Sequence, residues 1–273
     1  MLELGLLDVE VVDVVCEVVL VAGGDPMLTS AQLDRLAATT AASLRSSLVL
    51  PAPLGASAVR LRAAASPGLP PAPAPPGLRD PFIPLAISVR VDDSRYPAPT
   101  SAPGWPADYL PSVVSPVRPL VRDLRHGSDT SRDAATYFAA RLAAWLATSL
   151  VTRPDVRVTA SYAGRLTAAA NATELARFQG NTSGQALAHM LLVSDNDDAE
   201  RLLRNVDLAR GGDGSWSSAA STESAVLAEL HVRSAGVHLV DGSGVSRDDR
   251  LTAAFLTDLL TAGIALDHPE LAP

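Results

Sequence analysis

The 273-residue chain contains no lysine, since all 22 of its basic residues are arginine. A phosphate-gripping P-loop is thereby excluded, because that motif needs its lysine. Cysteine is nearly absent too. Cys16 stands alone, so neither an internal disulfide framework nor a cysteine-based metal cluster can form, and one thiol suits cytosol and envelope equally. Aromatic residues make up 4% of the chain against 47% hydrophobic residues overall, so the core must be built from Ala, Leu and Val. Positive charge is in deficit. A net charge of −8 argues against nucleic acid as a partner, since phosphate binding needs a basic stripe. No Lys/Arg-rich amphipathic segment addresses a membrane surface. His126, His189, His231, His238 and His268 lack metal-ligand spacing, so neither a metal nor another cofactor is expected.

The N-terminal stretch also lacks something. A signal peptide opens on basic residues, yet residues 1–17 carry Glu3, Asp8, Glu10, Asp13 and Glu17. Acids spread through the run exclude a membrane-spanning helix as well. The sequence as it stands shows no export signal, and whether residues 1–17 are a native start is left open.

What is present reads as a mixed α/β chain. Valine-rich alternation over 9–22 predicts a strand, ended by the turn Ala22-Gly23-Gly24-Asp25-Pro26. Ser30 is placed as the N-cap of a helix over 31–46, with Leu33, Leu36 and Leu44 on one face. Residues 51–84 are too proline-dense for helix or central strand. Alternation over 85–91 predicts another strand, and Trp105 and Tyr109 are expected to pin the proline-punctuated loop after it. Ser131 precedes a helix with Phe138, Leu142 and Trp145 at helical spacing, and a short strand begins at Val156. Helices are then expected over 184–193, 197–209, 219–235 and 252–262, with a strand at 237–240.

Two segments carry candidate chemistry. Ser194-Asp195-Asn196 lies between two predicted helices. All three residue types make good N-caps, and Asp197, Asp198 and Glu200 suit the positive end of the following helix. The same tripeptide also offers a hydroxyl able to relay a proton and a carboxamide able to grip an amide, with Asp195 pointing inward or capping. The second segment is Asp241-Gly242-Ser243-Gly244-Val245-Ser246-Arg247. Its two glycines explain a turn by themselves, and Asp241 spoils a Gly-x-Ser-x-Gly nucleophile elbow. His189 reads as a helix residue rather than a catalytic base. Asp25 reads as turn-forming.

Together, MLLVSDNDDAERLLR and VHLVDGSGVSRDDRLTAAFLTDLL resemble the D-alanyl-D-alanine carboxypeptidase/endopeptidase family, the low-molecular-mass penicillin-binding proteins of peptidase family S13. Upstream, VVLVAGGDPMLTSAQLDRLA is similar to that family's Gly-Gly-Asp-Pro stretch. VRVDDSRYPAPTSAPGWPADYLPSVVSPV is similar to its Asp-Ser and Ala-Pro-x-Trp stretches. The resemblance spans roughly residues 18–262, and arginine without lysine beside abundant alanine gives it an actinobacterial character. It implies a partial penicillin-binding/β-lactamase-like transpeptidase fold with inserted β-rich subdomains. Residues 18–180 would be the insertions, with a proline-rich loop at 67–84. Residues 181–273 would be the helical part carrying the Ser-Asp-Asn turn.

By the same resemblance, Ser194 corresponds to the proton-shuttling hydroxyl and Asn196 to the carboxamide that holds the substrate amide. Asp195, Asp241, Gly242, Ser243 and Gly244 would be structural or binding positions. Implied partners are peptidoglycan D-Ala-D-Ala peptides and β-lactams, and the implied location is the cell envelope. The family's Ser-x-x-Lys nucleophile and Lys-Thr-Gly strand are not in this sequence. Arginine cannot stand in as base, because its guanidinium does not release a proton near neutrality. The expectation is a family member cut at both ends and inactive by itself. The alternative is a non-catalytic envelope-binding module on the same fold, with the proline-rich loop 67–81 as its contact surface.

Overall fold

The computed structural model describes residues 14–48, 50 and 82–265. The prolines of the 67–81 loop and the start of the 9–22 strand therefore lie outside the described residues. Three strands form one parallel sheet in the order β1 (Val14–Val21), β2 (Ile83–Asp92), β3 (Val156–Arg165). Parallel neighbours need crossovers, and here helices make them. Helix α1 (Ser30–Ser47) follows β1 and α2 (Thr130–Ser149) follows β2. These two helices pack on each other, and α2 packs on β2 and β3.

Period-two alternation explains β2. Ile83, Leu85, Ile87, Val89 and Val91 are buried, while Ala86 on the opposite face is exposed. Ile87, Val89 and Val91 join Leu33, Ala37, Ala41 and Leu44 of α1 and Phe138, Leu142 and Leu146 of α2 in one apolar cluster. Leu36 is only partly buried, and Trp145 lies at the rim, where its Nε1 donates to Asp34.

One cap differs from the sequence expectation for a physical reason. Thr29, not Ser30, caps α1, because a capping box needs Gln or Glu three residues on. Gln32 supplies it for Thr29, whereas Ser30 would meet Leu33. Ser30 instead gives its N–H and hydroxyl to Asp123. Helix α2 is capped by Asp129, and Ser131, expected just before the helix, is buried in its first turn.

Four further α-helices follow among the described residues: α3 (Ser183–Val193), α4 (Asn196–Ala209), α5 (Trp216–Glu229) and α6 (Ala253–Ala265). Helix α5 starts earlier than expected because Ser215 caps it, and it ends well before 235, where the chain turns at His231 with φ 57°. The strand expected at 237–240 is a single antiparallel bridge between His238 and Arg250. Asp249 captures the Val240 N–H, so the ladder stops there. No helix among the described residues is long and apolar enough to cross a membrane.

Candidate functional site

Helix α3 is capped by Thr182 and Gln185 at its start and ends at Ser194, which adopts the left-handed conformation (φ 57°, ψ 53°) and leaves its side chain exposed. Asp195 returns to extended backbone and its carboxylate accepts the Asp198 N–H at 2.9 Å. One residue of the tripeptide therefore does the capping. The other two stay at the surface of a tight inter-helix corner. Asn196 donates from Nδ2 to the carbonyl of Val113 at 3.0 Å, which ties the corner to the loop after Tyr109.

Helix α4 keeps its acids at the positive end, as read from the sequence, but turns its charges inward. Asp197, Asp198, Glu200, Arg201, Arg204 and Asp207 are all buried, while Val206 is exposed. The inward charges bond mostly to loop backbone, although Asp198 Oδ1, Arg201 Nη2 and Arg204 Nη1 have no hydrogen-bond partner. Asp197 accepts the Ser115 N–H at 2.6 Å, and Arg201 donates to the Arg118 carbonyl at 3.1 Å. Arg204 donates to the carbonyls of Gly214 and Pro97, both at 2.6 Å, and its guanidinium lies 4.8 Å from the Tyr96 ring and 4.7 Å from that of Trp216. Burial pulls its pKa down to about 10. Asp207 accepts from Gly214 N–H, Ser218 and Thr222.

The Asp241–Ser246 turn docks on this helix. Glu200 accepts the N–H groups of Gly242 and Ser243 at 2.9 and 3.0 Å, and the Ser243 hydroxyl as well. A Cβ on Gly242 would sit 2.9 Å from the Ala199 carbonyl, so only glycine lets the turn lie this close to α4. Burial, with the charge of nearby Asp241, pushes the Glu200 carboxyl up to about 8. Asp241 accepts from Gly244 N–H, Ser246 N–H and Trp105 Nε1 at 2.7–2.8 Å. Trp105 in turn meets Trp216 edge-on at 5.6 Å.

The Gly-Gly-Asp-Pro stretch reaches the same helix. Asn205 donates to the Gly24 carbonyl at 2.9 Å and accepts from Tyr96. Asp25 holds a turn by accepting Met27 N–H, and it also accepts the Asn181 N–H just before α3. Every motif picked out in the sequence thus ends on α4 or on its N-terminal corner. Glu200, a residue read from sequence only as a complement to the helix dipole, joins the Asp241–Gly244 turn to α4, the helix that begins at Asn196. The available signal was the spacing of charges at 197, 200, 201, 204 and 207, a stripe along one face of the helix.

His189, Asp195 and Asp198 offer ligand atoms within 4.8 Å of one another. A buried cation already serves this group, since Arg201 lies 3.9 Å from Asp198 and His189 Nδ1 lies 2.9 Å from the other Asp198 oxygen. The arrangement is a charge network that orients the first turn of α4.

Comparison with known proteins converges on one group. Residues 123–272 match the sequence profile of the D-Ala-D-Ala carboxypeptidase 3 (S13) family. A carboxypeptidase of Mycobacterium tuberculosis is 34% identical over 189 residues, which cover 68% of this chain and 40% of the relative. Carboxypeptidase DacB of Mycolicibacterium smegmatis is 32% identical with the same coverage. The chain thus spans about 40% of the length of the curated relatives it matches. In fold it is similar to penicillin binding protein 4 (dacB) from Haemophilus influenzae. The TM-score is 0.58 at 15% identity, over 93% of this chain and 62% of that one.

Proposed function

The chain belongs to the D-Ala-D-Ala carboxypeptidase 3 (S13) family, and from that premise we propose that its Ser194–Asn196 corner is the substrate-contacting part of a serine-type D-Ala-D-Ala carboxypeptidase/endopeptidase. The substrate is a peptidoglycan stem peptide, and the work is done in the cell envelope. The supporting observation is the corner itself. Asp195 caps α4 and leaves Ser194 exposed and Asn196 half-buried at the corner, while Glu200, one turn further along the same helix, fixes the Asp241–Ser246 turn.

In this reading a serine hydroxyl attacks the peptide carbonyl, the C–N bond breaks, and Ser194 passes the hydroxyl's proton to the departing D-Ala amine. Water then hydrolyses the acyl ester. Asn196 has committed Nδ2 to Val113, so its carboxamide oxygen is the atom that would accept the substrate N–H. The attacking serine needs a base that is unprotonated near neutrality and can take its proton, and these 273 residues hold no lysine. By this reading the 273 residues do not turn over substrate by themselves.

Two measurements on the 273-residue chain test the proposal. A D-Ala-D-Ala-terminated peptide should perturb the amide NMR signals of 194–196 and 241–246, and perturbation elsewhere only, or none, would overturn the substrate-contacting role. A labelled β-lactam should leave no covalent adduct by mass spectrometry. An adduct would overturn the inactivity of this stretch.

A further inference from the structure

Helix α3 reaches the Ser194–Asn196 corner with little apolar packing to fix its end. Ala186 is its one buried residue, and Leu191, Leu192 and Val193 are exposed. Its start is tied down elsewhere, where Asn181 donates to Asp25 and to the Met27 carbonyl. At the corner itself Ser194 holds a left-handed backbone at φ 57°. A residue with a side chain keeps that conformation only where its flanks are held.

His189 supplies the hold. From α3 its Nδ1 reaches Oδ2 of Asp198, in the first turn of α4, at 2.9 Å. Asp198 is fully buried, and among the described residues His189 is the one hydrogen-bond donor to its side chain. The Asp198 N–H goes to Asp195, whose own N–H returns to the Met190 carbonyl of α3 at 3.2 Å. Ser194, Asp195 and Asn196 thus lie inside a ring of bonds that one side-chain pair closes. A carboxylate can only accept, so the proton in that pair sits on Nδ1 and neutral His189 has a bare Nε2. We propose that His189 is a positioning residue for substrate. Its Nδ1–H, held by Asp198, sets the angle between α3 and α4 and so the places of the Ser194 hydroxyl and the Asn196 carboxamide. This rests on the substrate-contacting role proposed for the corner. Misplacing groups that meet a reacting substrate by about 1 Å costs on the order of a hundredfold in rate, so a bond at this hinge counts for more than its own strength.

The test uses the 273-residue chain throughout. Imidazole 15N spectra of neutral His189 should show the proton on Nδ1. His189→Leu removes the donor at similar volume. It should shift the Ser194–Asn196 amide signals of the unliganded chain and weaken binding of a D-Ala-D-Ala-terminated peptide about tenfold or more. His189→Asn puts an amide N–H near the place of Nδ1, so it should restore the signals and bring affinity to within about twofold of wild type. A role in stability alone would lower the melting temperature and leave the peptide affinity of folded His189→Leu as in wild type. The proposal is overturned by that result, by a neutral His189 protonated on Nε2, or by His189→Asn behaving like His189→Leu. If His189→Leu does not fold, the wild-type tautomer and His189→Asn decide. A peptide that leaves the wild-type 194–196 signals unmoved overturns the substrate-contacting reading, and the positioning role with it. Failure of the positioning role alone shows as wild-type binding that survives His189→Leu.

Discussion

Helices α2 and α4 are both buried, and by opposite means. Helix α2 lays Phe138, Leu142 and Leu146 on the sheet, so its position follows from apolar area removed from water. Helix α4 turns inward Glu200, Arg201, Arg204 and Asp207, each held by named donors or acceptors. The difference lies in what surrounds them. Around α2 the strands satisfy one another's backbone, so side chains need only fill space. Around α4 lie loops with no ladder, and buried N–H and C=O groups must find partners. The side chains of α4 provide them for Ser115, Arg118, Gly214, Gly242 and Ser243. Burying charge is a poor source of net stability, but it fixes geometry, because each carboxylate accepts only where its donors converge. That is the kind of support a turn carrying reactive side chains needs.

The largest expected contrast is in pH. Folding raises the carboxyl pKa of Glu200 to about 8, of Glu223 to about 7 and of Asp249 to about 6, burial being the leading cause in each. A folded state with raised acid pKa values keeps protons that the unfolded chain has released. Stability from these groups is therefore full below the unfolded carboxylate range and falls as pH rises to about 8. Asp92 beside the sheet behaves in the opposite sense. Burial would raise it, but its bonds from Ser94 and from Ala168 N–H outweigh burial and hold it low, so its contribution is lost as pH falls. Each unit is worth about 1.4 kcal/mol, so the α4 region should lose on the order of several kcal/mol between pH 5.5 and 8.5. Urea unfolding at the two values checks this, and Glu200→Gln should flatten the slope. A wild-type stability that is level or rising across that window would break the contrast.

Next in size is Leu142→Ala. Leu142 is fully buried in the apolar cluster, and its truncation should cost about 3 kcal/mol through lost transfer energy and a residual cavity. The diagnostic feature is that this cost should be the same at pH 5.5 and 8.5. A cost that changes with pH would mean the two regions are coupled more tightly than their separate cores indicate.

This contrast also decides what was legible in the sequence. Alternation at 85–91 and helical spacing of Phe138 and Leu142 express apolar burial, and both regions fold as those patterns say, while Trp145, read on the same face, lies at the rim. The family and its mixed α/β fold were legible through ordered short motifs. The inward face of α4 was not, because a stripe of charges reads as solvated when the loops that will cover it have no pattern of their own. Residues 237–240 have strand composition, but Asp249 takes the Val240 N–H that a ladder would need. Such competition between a side chain and the backbone leaves no trace in local periodicity.

The smallest predicted difference concerns the caps of α1 and α4. Removing a capping side chain costs about 1 kcal/mol in general, so Thr29→Ala and Asp195→Ala would be equal if capping were all they did. At α1 the Thr29 box is backed by Asp123, which accepts the Ser30 N–H at 2.7 Å and keeps the first turn in place. At α4 the first turn carries Asp197, whose carboxylate holds the Ser115 N–H, and Asn196, which holds Val113. Fraying there releases loop contacts as well as a helix end. Asp195→Ala should therefore cost more than Thr29→Ala in urea unfolding. It should also speed amide exchange at Ser115 as well as at Asp198. Equal costs, with exchange changes confined to the helix end, would show that α4 holds its loops without help from its cap.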